Sequence, residues 1–213
     1  MSPELIIFDC DGVLVDTEHI TGAFFQRYLV RHGVADPHGE ALYRYRGFSL
    51  AGAIEDLENR IGKKVHSTFI DDFRSETMAS MATDLQAIEG VQSALESIRT
   101  AKCVASNGPL NKMQLTLGVT GLRRFFGDAL FSAYEVQSWK PDPGLFLHAA
   151  QAMDVLPARC VVVEDSVHGA LAARAAGMPV FGYSPTQEAE RFEEVGAQCF
   201  DKMSDLPSLI ASL

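Results

Sequence analysis

The chain has no apolar run approaching the roughly 18–20 residues that a membrane helix requires, and its opening stretch, MSPELIIFDCDGV, reaches acidic residues too early for a secretory signal. A soluble, cytoplasmic protein without a membrane partner is expected. Cysteine is sparse. Cys10, Cys103, Cys160 and Cys199 are scattered without C-x-x-C spacing, which argues against a zinc ribbon or a disulfide scaffold and for reduced, mostly buried thiols. Positive charge is scarce as well: 18 Lys and Arg face 28 Asp and Glu, a net charge of −10, so no surface that gathers nucleic acid through its phosphates is expected. Internal repeats and low-complexity tracts are missing too. What is present is a globular composition, 47% hydrophobic and 22% charged over 213 residues, enough for one core carrying a smaller partner.

Leu5 to Phe8 form a short apolar run that stops at Asp9, the pattern of a strand buried on both faces. Similar runs lead from Val104 and Ala105 to Ser106, from Leu130 and Phe131 to Ser132, from Cys160 through Val163 to Glu164, and from Val180 and Phe181 to Gly182. Helix signals lie between them. Pro109 suits a first helical position, with Leu110, Met113 and Leu117 on one face and Gly118 past the end; Asp142 and Pro143 suit an N-cap and first residue. Ser166 can cap an alanine-rich helix that closes at Gly177. The alternation predicts an α/β fold with a doubly wound parallel sheet.

Residues 17–87 differ, because three helical patterns follow one another with no strand between them. Ile20, Phe24 and Tyr28 precede Gly33; Ile54, Leu57 and Ile61 follow a possible Ser49 cap and stop at Gly62; Phe69, Phe73 and Met81 mark a third face. An all-helical domain is therefore expected at 17–87, inserted into a discontinuous core made of 1–16 and 88–213. This segment has eight Lys and Arg and ten acids, so a charge of −8 remains on the core.

Ligands bind open α/β sheets outside the carboxyl ends of the strands, so the polar residues there are read together. Asp9 and Asp11 end the first strand, Ser106 and Asn107 another, Glu164 and Asp165 a third, and Lys140 stands before Pro141. Converging carboxylates call for a hard cation, and Mg²⁺ takes one or two carboxylates with water and phosphate oxygens. Lys140 can meet one phosphoryl oxygen, and Ser106 with the backbone N–H groups opening the next helix another. The expected partner is a small-molecule phosphate ester. Asp9 is then the candidate nucleophile, and Asp11, two residues on, the acid that protonates the leaving oxygen and later the base that takes a proton from water. Gly12 permits the turn behind them.

Together DCDGV at 9–13, SNG at 106–108, KPDP at 140–143 and VVEDSVHG at 162–169 resemble, in order and spacing, the four motifs of the haloacid dehalogenase superfamily, in its helical-cap, β-phosphoglucomutase-like phosphatase branch. The resemblance implies a Rossmann-like core with an inserted helical cap. It implies Asp9 as nucleophile and metal ligand, Asp11 as acid/base whose carbonyl also meets the metal, Ser106 and Lys140 at the phosphoryl group, Asp165 as a metal ligand, and Glu164 as a metal ligand in some relatives and a neighbour of the ligands in others; Asn107, beside Ser106, is a further candidate for phosphate binding. Cap residues Glu18, Arg46, Gly47 and Ser49 would select the leaving group. The dehalogenases lack the second aspartate, here Asp11. The mutases carry a histidine and an arginine where this chain has Thr21 and Leu50, so hydrolysis is favoured over sugar-phosphate mutase chemistry. CVASNGPLNKMQ and LFSAYEVQSWKPDP are most similar to bacterial 6-phosphogluconate and other sugar-phosphate phosphatases. A phospho-accepting regulatory module also uses an aspartate, Mg²⁺, a hydroxyl and a lysine, but expects neither the D-x-D pair nor a cap.

Overall fold

The structure is a computed structural model that describes residues 2–36, 39–45, 50–185 and 189–213, with only the backbone of Leu42 and Tyr43. The chain divides into two compact units, Met1–Val15 with Gln86–Leu213, and Asp16–Leu85. Among the described residues no helix is long and apolar enough to cross a membrane.

Among the described residues six strands build the first unit: β1 (Leu5–Phe8), β2 (Ala101–Ser106), β3 (Leu130–Ser132), β4 (Cys160–Glu164), β5 (Val180–Tyr183) and β6 (Gln198–Phe200). All pair in parallel in the order β3-β2-β1-β4-β5-β6. The five apolar runs are therefore strands. All four residues of β1 are buried, because β2 and β4 flank it and helices cover both faces. The sixth strand has no such run: Gln198 is exposed and Cys199 half-buried at the sheet edge, so composition does not signal it.

The second unit is helical: α1 (Glu18–Arg31), α2 (Ala41–Arg44), α3 (Leu50–Ile61) and α4 (Phe69–Asp84). Its core joins Phe24, Phe25, Tyr28, Leu29, Leu57 and Phe69. Phe24 meets the Phe69 and Phe73 rings edge-on at 5.6 and 5.1 Å, geometry that aromatic quadrupoles favour. The Ser49 cap lies outside the described residues.

The first unit adds α5 (Val91–Ser97), α6 (Leu110–Val119), α7 (Ala133–Val136), α8 (Gly144–Ala152), α9 (Val167–Ala175), α10 (Ala189–Glu194) and α11 (Leu206–Ala211). Leu145, Phe146 and Ala149 of α8 and Ala170, Ala172 and Ala173 of α9 pack with Ile7, Cys103 and Val162 of the sheet. Two helix starts differ by one residue from the sequence expectation. Pro109 has extended backbone and takes the N-cap place, its carbonyl accepting from Lys112 and Met113. Pro143 likewise precedes α8, and the Asp142 carboxylate performs the capping by accepting from Gly144 N at 2.8 Å. Gly118 lies inside α6, whose turn closes at Gly121 with φ +72°. Ser166 caps α9 as expected, accepting from Gly169 N at 3.0 Å, and Gly177 follows at φ +74°.

Candidate active site

Register brings the chemistry together. Phe8 pairs with Val104 and Val163, and the Asp9 N–H still donates to the Val163 carbonyl at 2.9 Å, so Asp9 emerges at the carboxyl edge beside the ends of β2 and β4. There the strand order reverses direction, between β1 and β4, which is where open α/β sheets leave a crevice.

Lys140 is the hub. Its ammonium donates to Asp9 Oδ1 and, at 2.5 Å, to Glu164 Oε1. It lies 4.9 Å from the centroid of the Phe146 ring, and its side chain is only 3% exposed. Burial favours the neutral amine, but the two carboxylates outweigh it and hold the pKa above the ordinary lysine range. Burial pushes the Asp9 carboxyl up from 3.8 to about 7; Lys140 opposes the rise, and Glu164 and Asp11 add to it. A single ammonium shared by two buried carboxylates leaves Asp9 short of compensation.

Two sequence-selected residues act on their neighbours. The Asn107 amide clamps the Lys140 backbone, with Oδ1 accepting from Lys140 N at 2.9 Å and Nδ2 donating to its carbonyl at 3.4 Å. Glu164, 1% exposed, has both oxygens engaged: Oε1 accepts from Lys140, and Oε2 from Ser166 N and Oγ at 2.9 and 2.8 Å. Ser106 is 2% exposed, and its hydroxyl accepts from Gly108 N at 3.0 Å. Ser132, at the end of the next strand, donates to the Gly108 carbonyl at 2.7 Å, which fixes this loop from its other side.

Lys112, in the first turn of α6, is the residue that sequence reasoning missed. Its ammonium donates to Asp11 Oδ2 at 2.8 Å. Nothing local signals this, because the partners stand 101 positions apart and a lysine in an opening turn reads as solvated. Glu18 is the first residue of α1 in the second unit, while Arg46, Gly47 and Ser49 lie outside the described residues.

Gly12 shows where Asp165 belongs. At φ +77°, a Cβ on Gly12 would fall 1.9 Å from Asp165 Oδ2, so the second carboxylate of the β4 end packs onto the turn between Asp11 and Val13. Among the described residues no three His, Cys, Asp or Glu side chains group tightly enough to hold an ion by themselves. The donors that do lie here are carboxylates, the chemistry of Mg²⁺, which takes one or two of them and fills its sphere with water and phosphate oxygens. The charge also fits. Asp9, Asp11, Glu164 and Asp165 against Lys112 and Lys140 carry −2 when all are ionised, the charge one divalent cation neutralises.

This fold and site define a class: the chain belongs to the haloacid dehalogenase-like hydrolases, whose family model matches residues 6–183. Over 207 residues it is 36% identical to the 6-phosphogluconate phosphatase of Escherichia coli strain K12, covering 97% of this chain and 94% of that protein. Its backbone is similar to the crystal structure of a haloacid dehalogenase-like protein from Agrobacterium tumefaciens, with a TM-score of 0.88, 34% identity and 98% of each chain covered. A family hydrolase from Deinococcus radiodurans, crystallised with phosphate and sodium, superimposes with a TM-score of 0.83 at 29% identity, over 100% of this chain and 97% of that one.

Proposed function

We propose that this phosphoric monoester hydrolase is a Mg²⁺-dependent phosphatase of a small phosphorylated sugar or sugar acid, such as 6-phosphogluconate, and that it works through an aspartyl-phosphate on Asp9. The observation that carries the reading is the Asp9 carboxylate at the end of β1, buried beside Lys140, with Asp11 two residues on and Ser106 at the end of the adjacent strand. The relative that hydrolyses 6-phosphogluconate supports the substrate class.

An Asp9 oxygen attacks phosphorus as the ester P–O bond breaks, and the leaving alkoxide takes its proton from Asp11. Asp11 then takes a proton from water, which attacks phosphorus and breaks the P–O bond to Asp9, releasing inorganic phosphate and restoring the carboxylate. Lys140 and Ser106 balance charge on the phosphoryl oxygens. Asn107 and Glu164 hold Lys140 in place, so Glu164 is assigned to positioning. Asp9, Asp165 and the Asp11 carbonyl would hold Mg²⁺, which supplies charge neutralisation and alignment of the phosphoryl group. The inserted helices, including Glu18, Arg46, Gly47 and Ser49, are assigned to leaving-group selection.

The test is phosphate release over a panel of sugar phosphates with Mg²⁺ and with EDTA. Turnover is expected with Mg²⁺ and lost in EDTA, and Asp9→Asn is expected to lose at least about a thousandfold in kcat. Turnover by Asp9→Asn near the wild-type rate would remove Asp9 as nucleophile.

A further inference from the structure

The pair between Lys112 and Asp11 has no part in the reaction as drawn. Lys112 stands in the first turn of α6, where its N–H donates to the Pro109 carbonyl at 3.1 Å, so its backbone is fixed by the helix. Its side chain is 23% exposed, and its ammonium reaches back to the first motif at 2.8 Å. One point locates the pair. The Cβ position on Gly108 lies 3.7 Å from Asp11 Oδ2, 3.7 Å from Lys112 Cδ and 3.4 Å from Ser106 Oγ. The Asp11 carboxylate, the lysine stem and the Ser106 hydroxyl thus surround a single glycine of the loop assigned to the phosphoryl group.

An aspartate on a turn has several staggered rotamers open to it, and Asp11 is only partly buried. A charge-assisted hydrogen bond from a helix-anchored ammonium selects among them. We propose that Lys112 is a positioning residue that holds the Asp11 carboxylate over the phosphoryl-binding loop, where the leaving oxygen arrives. The inference rests on the phosphatase reading above.

A positioned acid matters in proportion to the basicity of the leaving oxygen. A sugar alkoxide needs its proton, whereas p-nitrophenolate departs without one. With Mg²⁺ present, wild type, Lys112→Met and Lys112→Arg are compared on the sugar phosphate hydrolysed fastest and on p-nitrophenyl phosphate. In the first, phosphoryl-transferring step, read in single turnover because both esters share the later hydrolysis of the aspartyl-phosphate, Lys112→Met is expected to lose about tenfold to a hundredfold on the sugar ester and less than about threefold on the aryl ester, a share of the roughly 10²–10⁴ a placed acid contributes. Lys112→Arg is expected to recover most of the loss. Crystal structures provide a second reading: Asp11 in one rotamer in the wild type and displaced or split in Lys112→Met. An equal fall of that first step on both esters, or an unmoved Asp11, overturns the inference. A wild type that frees phosphate from no ester overturns the phosphatase reading instead, and the crystal structures still decide whether Lys112 holds Asp11.

Discussion

Lys140 serves Asp9 and Glu164 at once in a buried setting, and this sharing has a signature in acid–base behaviour. With the Asp9 carboxyl held up to about 7 against an ordinary 3.8, the native state binds more protons than the unfolded chain between these values. Stability from this group is full below the lower value and is lost as pH rises through the upper one. In EDTA, wild-type stability relative to Asp9→Asn should therefore decline as pH climbs from about 4 to about 7 and level off above. Urea unfolding of both proteins across that range measures it, and a flat difference would mean that Asp9 titrates as an ordinary carboxyl. The same residues show how far a sequence speaks for a site. Asp9, Ser106 and Glu164 are legible because each ends an apolar run, so a polar group at the strand's carboxyl edge is implied by the run itself. The task of Asn107 is not legible, since clamping the Lys140 backbone depends on a loop that only folding brings near. Lys112 is hidden for the same reason.

At the scale of elements, α9 is set against the site by a glycine. A Cβ on Gly169 would lie 1.9 Å from Glu164 Cδ and Oε1, so the helix approaches the carboxylate that holds Lys140 as closely as glycine allows. Gly169→Ala forces either the helix or the carboxylate to move. It is expected to cost about 1–3 kcal/mol, as overpacking does, and to lower kcat through Lys140. Gly118→Ala, at an exposed position of α6 with nothing within 4 Å of its Cβ, is expected to gain up to about 1 kcal/mol from helix propensity. Thermal melts and phosphatase kinetics of the two variants check the contrast, and equal losses would remove the close approach as the cause. An element with strong periodicity, such as α3, is plain in sequence. The short α2 and the edge strand β6 are not: the four residues of α2 carry too little pattern to stand out from loop, and β6 has exposed Gln198 and half-buried Cys199 where an apolar run would stand.

For the molecule as a whole, the path of the chain matters more than its length. Val15 bridges Ala87 in antiparallel fashion, and the Ile88 N–H donates to the Leu14 carbonyl at 3.0 Å. The chain thus leaves the sheet-bearing unit and re-enters it at adjacent points. Closing a loop whose ends already meet costs little more as it lengthens, about 0.6 kcal/mol for each doubling. Replacing residues 16–86 by a short Asn-Gly turn is expected to leave a chain with the circular dichroism of an α/β fold and a cooperative urea transition. A non-cooperative, collapsed product would show that the sheet needs the inserted helices. If the transition survives, the bridge at Val15 is a splice point. Whatever is threaded through it can be lengthened, swapped or redrawn without re-laying a single strand, so that, with leaving-group selection assigned to the inserted helices as proposed, the breaking of the phosphate bond and the choice of molecule to break are free to change at different times.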